Sequence, residues 1–214
     1  MKKFLYLFLA SIFTLFFICG CQKEVNYLNY ISEKRSNIYH YCDDEIEIKI
    51  YISERESPYS TDGIKGDMSG FIEIFVTLPA NYDEVNVTAA DIQGQMNYRA
   101  VENCYYLSSG GNITGEKLTI TLTFGGESKE YSLSSVLYTG VISCEQAVQC
   151  AIEHDSELFK SLTQRDIFLA EIFVRLLYDD GCYFYVGVCD RNKKITAFLI
   201  DGERGTVIAT KELG

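Results

Sequence analysis

A strict period of two dominates the middle of this chain. Ile46, Ile48, Ile50 and Ile52 alternate with Glu45, Glu47, Lys49 and Tyr51, so one side of an extended segment is apolar and the other polar. The pattern returns at 71–78, 84–90, 95–99, 100–107 and 117–124, where Leu118, Ile120, Leu122 and Phe124 alternate with Lys117 and three threonines. A further strand at 129–133 follows the turn Gly125-Gly126-Glu127-Ser128. Six or seven short antiparallel strands, each with one polar face, predict an immunoglobulin-like antiparallel β-sandwich over 38–140. No Trp is present to mark an antibody-type core.

The pattern changes at Ser143. Ser143 and Gln146 have capping-box spacing, and Ala147, Ala151, Leu158 and Leu162 form an apolar stripe, predicting one helix over 144–161. Strands are expected at 169–178, 183–190, 194–201 and 206–211, with turns at Asp180-Gly181 and Arg191-Asn192. One helix on an antiparallel sheet makes a small α+β domain over 141–214. The expected fold class is therefore mainly β, in two domains.

The N-terminus reads as a lipoprotein export signal over 1–20. Lys2 and Lys3 precede an apolar run from Phe4 to Ile18, too short for a membrane span, and Ile18-Cys19-Gly20-Cys21 resembles a bacterial lipobox. Cys21 is then the lipidated residue, and the membrane, through its lipid anchor, is a partner of an extracytoplasmic protein. Cleavage removes Lys2 and Lys3, the only charged residues of the leader, and takes the net charge from −11 to −13. Such a surface repels phosphate backbones, so no nucleic-acid partner is expected. Residues 21–37 are polar with scattered tyrosines. They form either a tether or, through Tyr27, Leu28, Tyr30 and Ile31, a short helix or strand docked on the first domain.

Glu145-Gln146-Ala147, Tyr183-Phe184-Tyr185-Val186-Gly187-Val188 and Phe198-Leu199-Ile200-Asp201-Gly202-Glu203-Arg204-Gly205-Thr206-Val207-Ile208 together resemble a PepSY-type domain. The resemblance covers about the last 70 residues and implies a non-catalytic role in restraining or modulating a peptidase of the cell envelope. Asp201 and Gly205 also have a structural explanation, since Asp opens the turn and Gly adopts positive φ. If Ile172, Val174, Leu176, Phe184, Val186 and Val188 face the helix, then Phe173, Leu177, Tyr183 and Tyr185 face away from it. Either another part of the chain or a partner protein covers them. A second candidate recognition element is the loop 53–70, with Arg55, Tyr59 and Asp62, which would make the chain a ligand-binding or adhesion module.

Motifs for hydrolases, phosphate loops and EF-hands are missing, and only His40 and His154 can serve as bases near neutral pH, so no enzyme activity is expected. Cys150 and His154 share a helix face but have no third residue to orient them. Six cysteines remain beyond Cys21, and an even number in an exported chain invites disulfides, the best candidate being Cys42 with Cys104. A zinc set of Cys150, His154, Cys182 and Cys189 fails, because 182 and 189 stand ~23 Å apart on one strand. Neither a metal nor a cofactor is expected.

Overall fold

A computed structural model describes residues 25–57 and 66–214. The leader, Cys21, Tyr59 and Asp62 lie outside the described residues. A 3-10 turn, Tyr27–Tyr30, leads into strand β1, Ile31–Cys42. Next come β2 (Glu47–Ser57), β3 (Asp67–Thr77), β4 (Val85–Ala89), β5 (Ile92–Gln95), β6 (Asn97–Arg99), β7 (Cys104–Gly110), β8 (Lys117–Phe124) and β9 (Glu127–Ser135). Helices α1 (Cys144–His154) and α2 (Ser156–Ser161) precede the two-residue strands β10 (Thr163–Gln164) and β11 (Ile167–Phe168). Four long strands end the chain: β12 (Ala170–Tyr178), β13 (Cys182–Asp190), β14 (Ile195–Asp201) and β15 (Val207–Leu213). Among the described residues no helix is long and apolar enough to cross a membrane.

The protein is mainly β, and one sheet runs through it in the order β15-β14-β13-β12-β1-β2-β3-β7-β6. Strands β9, β8, β4 and β5 form a second layer, joined to the first where β1 pairs β9. All these pairings are antiparallel except β1 with β12. Between the layers lies one core, in which Ile48, Ile50, Ile74 and Val76 are sealed with Ile120, Leu122 and Leu133. These are the apolar members of the alternating runs, each contributing about 1.5–3 kcal/mol when fully buried. A second core lies under α1, where Ala147, Val148 and Ala151 meet Ile172, Val174, Leu176, Phe184, Val186 and Val188. Those six strand residues face the helix as their alternation predicts.

Three expectations change. Residues 31–37 are not a tether but the first half of β1, whose pairing with β12 crosses the expected division at 140. The preceding turn docks on the second core rather than the first, with the Tyr27 ring edge-on to Phe159 and Phe168 at 5.1 Å. The Tyr30 hydroxyl accepts from the Phe168 amide at 3.2 Å. The expected helix over 144–161 breaks at Asp155, whose φ of −136° and ψ of 64° are not helical. Its carboxylate accepts from Leu158 N and starts a second helix. The capping box at Ser143 and Gln146 forms as expected.

Two glycines set the final turn. Asp201 Oδ1 accepts from Glu203 N and Arg204 N, and Gly205 closes the turn at φ +66°. Gly202 approaches β13 so closely that a Cβ there would lie 2.4 Å from Cys182 O. Because backbone blocks that Cβ, Gly202→Ala is expected to cost about 1–3 kcal/mol by overpacking, read as a fall in Tm. Gly110→Ala, with nothing within 4 Å of its Cβ, leaves Tm nearly unchanged.

Candidate functional site

The two pairings of β1 bring charged and aromatic side chains together. Glu33 lies opposite Phe173 on β12 and Arg55 on β2, while Arg35 lies opposite Arg175 and Ser53. This register places Glu33, Arg35, Arg55, Phe173 and Arg175 on one side of the sheet. The Glu33 carboxylate, only 8% exposed, accepts from Arg55 Nε at 2.8 Å and Nη2 at 2.7 Å, and from Arg175 Nε. Burial pushes its carboxyl upward, but the hydrogen bonds and charges of Arg175 and Arg55 outweigh that and hold it below the ordinary range.

Aromatic rings extend this cluster in both directions. The Arg175 guanidinium stands 5.8 Å from the Phe173 ring and 5.9 Å from the Tyr185 ring. Arg55 lies 5.0 Å from Phe71, and Arg35 lies 4.0 Å from Tyr51. From Tyr51 the contacts pass to Phe75 at 5.2 Å, then to Tyr106 at 5.0 Å, and end with Arg99 at 3.3 Å over Tyr106. A ladder of arginines and rings thus crosses the sheet from β13 to β6, each cation over a ring face. Tyr51, Phe75, Tyr106 and Arg99 are half-buried.

The structure redistributes the residues expected at a recognition surface. Tyr185 faces Arg175, and Tyr183 faces Leu177 on one side and Asp201 on the other, all within the C-terminal sheet. Leu177, Tyr183 and Tyr185 are half-buried, but Phe173 is 7% exposed and belongs to the interior of the cluster. Arg55 is not on a loop: β2 extends to Ser57 and β3 begins at Asp67, opposite it, so Arg55 sits in a ladder and is committed to Glu33. Sequence reasoning missed Glu33, Arg35, Arg99 and Arg175, because a charge on a strand reads as solvated until its cross-strand neighbour is known.

The described cysteines are all free thiols. Cys42 and Cys104 are not brought together, because they sit in one sheet rather than across two layers. Cys42 pairs with Glu47, Glu47 pairs with Thr77, and Cys104 adjoins Tyr105, the partner of Val76. Three strand spacings, about 14 Å, exceed disulfide reach. Cys182 and Cys189 occupy opposite ends of β13. Burial pushes the thiols of Cys104, Cys150, Cys182 and Cys189 up, and that of Cys144 up to about 12.

One donor cluster escaped the sequence reading. His40, Cys42 and Glu47 offer ligand atoms that all lie within 4.8 Å of one another across the β1–β2 hairpin. The available signal was His-x-Cys on one strand face with Glu opposite the Cys, a spacing unlike that of zinc knuckles. A cavity of about 420 Å³ opens where α1 starts, lined in part by Lys34, Leu137, Tyr138, Ile142 and Phe184. Ser143 already accepts from Gln146 N there.

Because the folded pKa of Glu33 is depressed, its stabilisation is full above the ordinary value of 4.5 and is lost as pH falls through the folded value. Glu33→Gln should lower stability by about 1–3 kcal/mol at neutral pH, the arginines being partly solvated. It should also flatten the acid limb of Tm against pH; an unchanged acid limb would show that the carboxylate is not the linked group.

Set against protein-family models, curated proteins and solved structures, the chain matches none of them.

Proposed function

We propose that this chain is a non-catalytic, lipid-anchored extracytoplasmic lipoprotein that binds another envelope protein. In this reading an immunoglobulin-like lobe and a PepSY-like α+β lobe share β1, and the partner class implied by the PepSY resemblance is a peptidase. The observation that carries the reading is the arginine–aromatic ladder from Tyr185 to Arg99. Arg, Tyr and Phe are the residue types enriched at protein interfaces, where planar side chains bury area at little conformational cost. Arg55 and Arg175 are matched by Glu33, and Arg99 stands 3.5 Å from Glu102, so the face offers a partner planar rings and guanidinium groups rather than an excess of positive charge. A thiolate nucleophile would need a lowered pKa, whereas burial pushes the Cys150 thiol up, and this favours a binding role over a Cys150–His154 dyad.

A crosslinked pull-down from native membranes tests the reading. Arg99→Glu and the pair Tyr183→Ala with Tyr185→Ala should each reduce capture of a peptidase at least tenfold, while Tm stays within a few degrees. Equal capture by wild type and both variants would move recognition off this face. Cys21→Ser should shift the protein from the membrane pellet to the soluble fraction; retention in the pellet would remove the lipid anchor from the proposal.

A further inference from the structure

The end of the β1–β2 hairpin brings an imidazole, a thiol and a carboxylate within reach of one another. His40 and Cys42, two apart on β1, point to the same side of the strand, and the register sets Cys42 opposite Glu47 on β2. His40 Nε2 lies 3.3 Å from Glu47 Oε1, a hydrogen bond that an ion would replace. That separation matches two ligands on one tetrahedral ion, since bonds of about 2.0–2.1 Å at the tetrahedral angle place donors about 3.3 Å apart. The thiol of Cys42 completes a trio whose atoms all lie within 4.8 Å, so side-chain rotation alone closes the set. The Tyr178 ring, 5.3 Å from that of His40, limits the imidazole's orientations.

We propose that His40, Cys42 and Glu47 form a binding site for a divalent thiophilic metal ion, Zn2+ above all, with a fourth position open to water. The donor chemistry selects the ion: one imidazole nitrogen, one thiolate and one carboxylate suit Zn2+ and exclude Mg2+ and Ca2+, which take all-oxygen sets. Charge supports the same assignment. Binding releases the Cys42 proton to solvent, and thiolate plus carboxylate then neutralise the two positive charges of the ion.

Lys49 competes for the same carboxylate, its Nζ lying 2.7 Å from Glu47 Oε1. The ion displaces it or takes the other carboxylate oxygen, so Lys49 weakens the site without abolishing it. Cys42 is the one exposed thiol among the six described, and the hairpin end is open to the ion. Occupation would tie the ends of β1 and β2 together at the strand both lobes share.

The test uses the full chain purified in detergent and titrated with Co2+, then Zn2+, under reducing conditions. One equivalent of Co2+ should give tetrahedral ligand-field bands and a thiolate-to-metal charge-transfer band, both bleached by one equivalent of Zn2+. Zn2+ should raise the wild-type Tm. Cys42→Ser should lose the charge-transfer band and the Zn2+-dependent rise while keeping the metal-free Tm, whereas Cys150→Ser should behave as wild type. Lys49→Gln should bind several-fold more tightly. A wild-type chain that develops no charge-transfer band, or a Cys42→Ser variant that keeps it, overturns the proposal.

Discussion

The structure depends on how β1 divides its edges. One edge pairs with β2 along nearly its whole length, from Glu33 opposite Arg55 to Cys42 opposite Glu47. The other edge is split: residues 31–35 run parallel to β12, and Tyr39 and His40 pair with β9. Bulges at Ser32 and Ser36 make the split possible, because each extra residue bends the strand and increases its twist. The segment after β9 fills the gap, with Val136 N donating to Ile38 O at 2.9 Å. Two cores are therefore built on one strand, and neither closes without it. Cutting the chain after residue 140 would remove β12 and open the second core at Ile31, Ile38 and Val136. Because β1 and β12 are about 140 residues apart in sequence, this closure is a non-local and slow step of folding.

The same bulges explain why β1 was the least legible strand. Ile46–Ile52 could be read directly because every second residue enters the core. In Ile31-Ser-Glu-Lys-Arg-Ser-Asn-Ile the phase slips twice, and the residues between the slips are charged. Glu33 and Arg35 take one side, while Lys34 takes the other and meets Glu54 and Glu145 at 3.5 Å. Composition alone could not separate such a strand from a solvated tether. The helix shows the opposite case: its start was legible from Ser143 and Gln146, while its break at Asp155 was not, since the apolar stripe continues through Leu158 and Phe159 into α2. Only one end of the ladder, Phe173 and Tyr185, was legible as unexplained aromatics on β12 and β13. The arginines of the ladder come from β12, β1, β2 and β6, and only pairing reveals them.

Burial of Glu33 has a consequence for the whole sheet. A carboxylate that is 8% exposed is unfavourable unless its charge is matched, and Arg55 and Arg175 supply that match from the two strands flanking β1. The ion pairs therefore select the register as well as stabilising it. A slip of β1 by one residue would put Glu33 on the helix side, where the second core is apolar, and leave both arginines without their partner. This registry device acts at the parallel pairing that joins the lobes, where backbone hydrogen bonds alone discriminate weakly.

The cysteines divide along a similar line. Cys104, Cys144, Cys182 and Cys189 are buried, and Cys150 lies against the Gly205 turn. Burial pushes all five thiol pKa values up, which disfavours the nucleophilic thiolate form. Among the described cysteines Cys42 alone is exposed, at the end of the shared strand, and it alone has His40 and Glu47 within ligand distance. An exposed thiol is open to intermolecular disulfide formation, and coordination to an ion would lower that reactivity by engaging the thiolate. The most accessible of the described thiols is thus the one whose neighbours can hold an ion, which ties the proposed metal site to stability as directly as to any later chemistry.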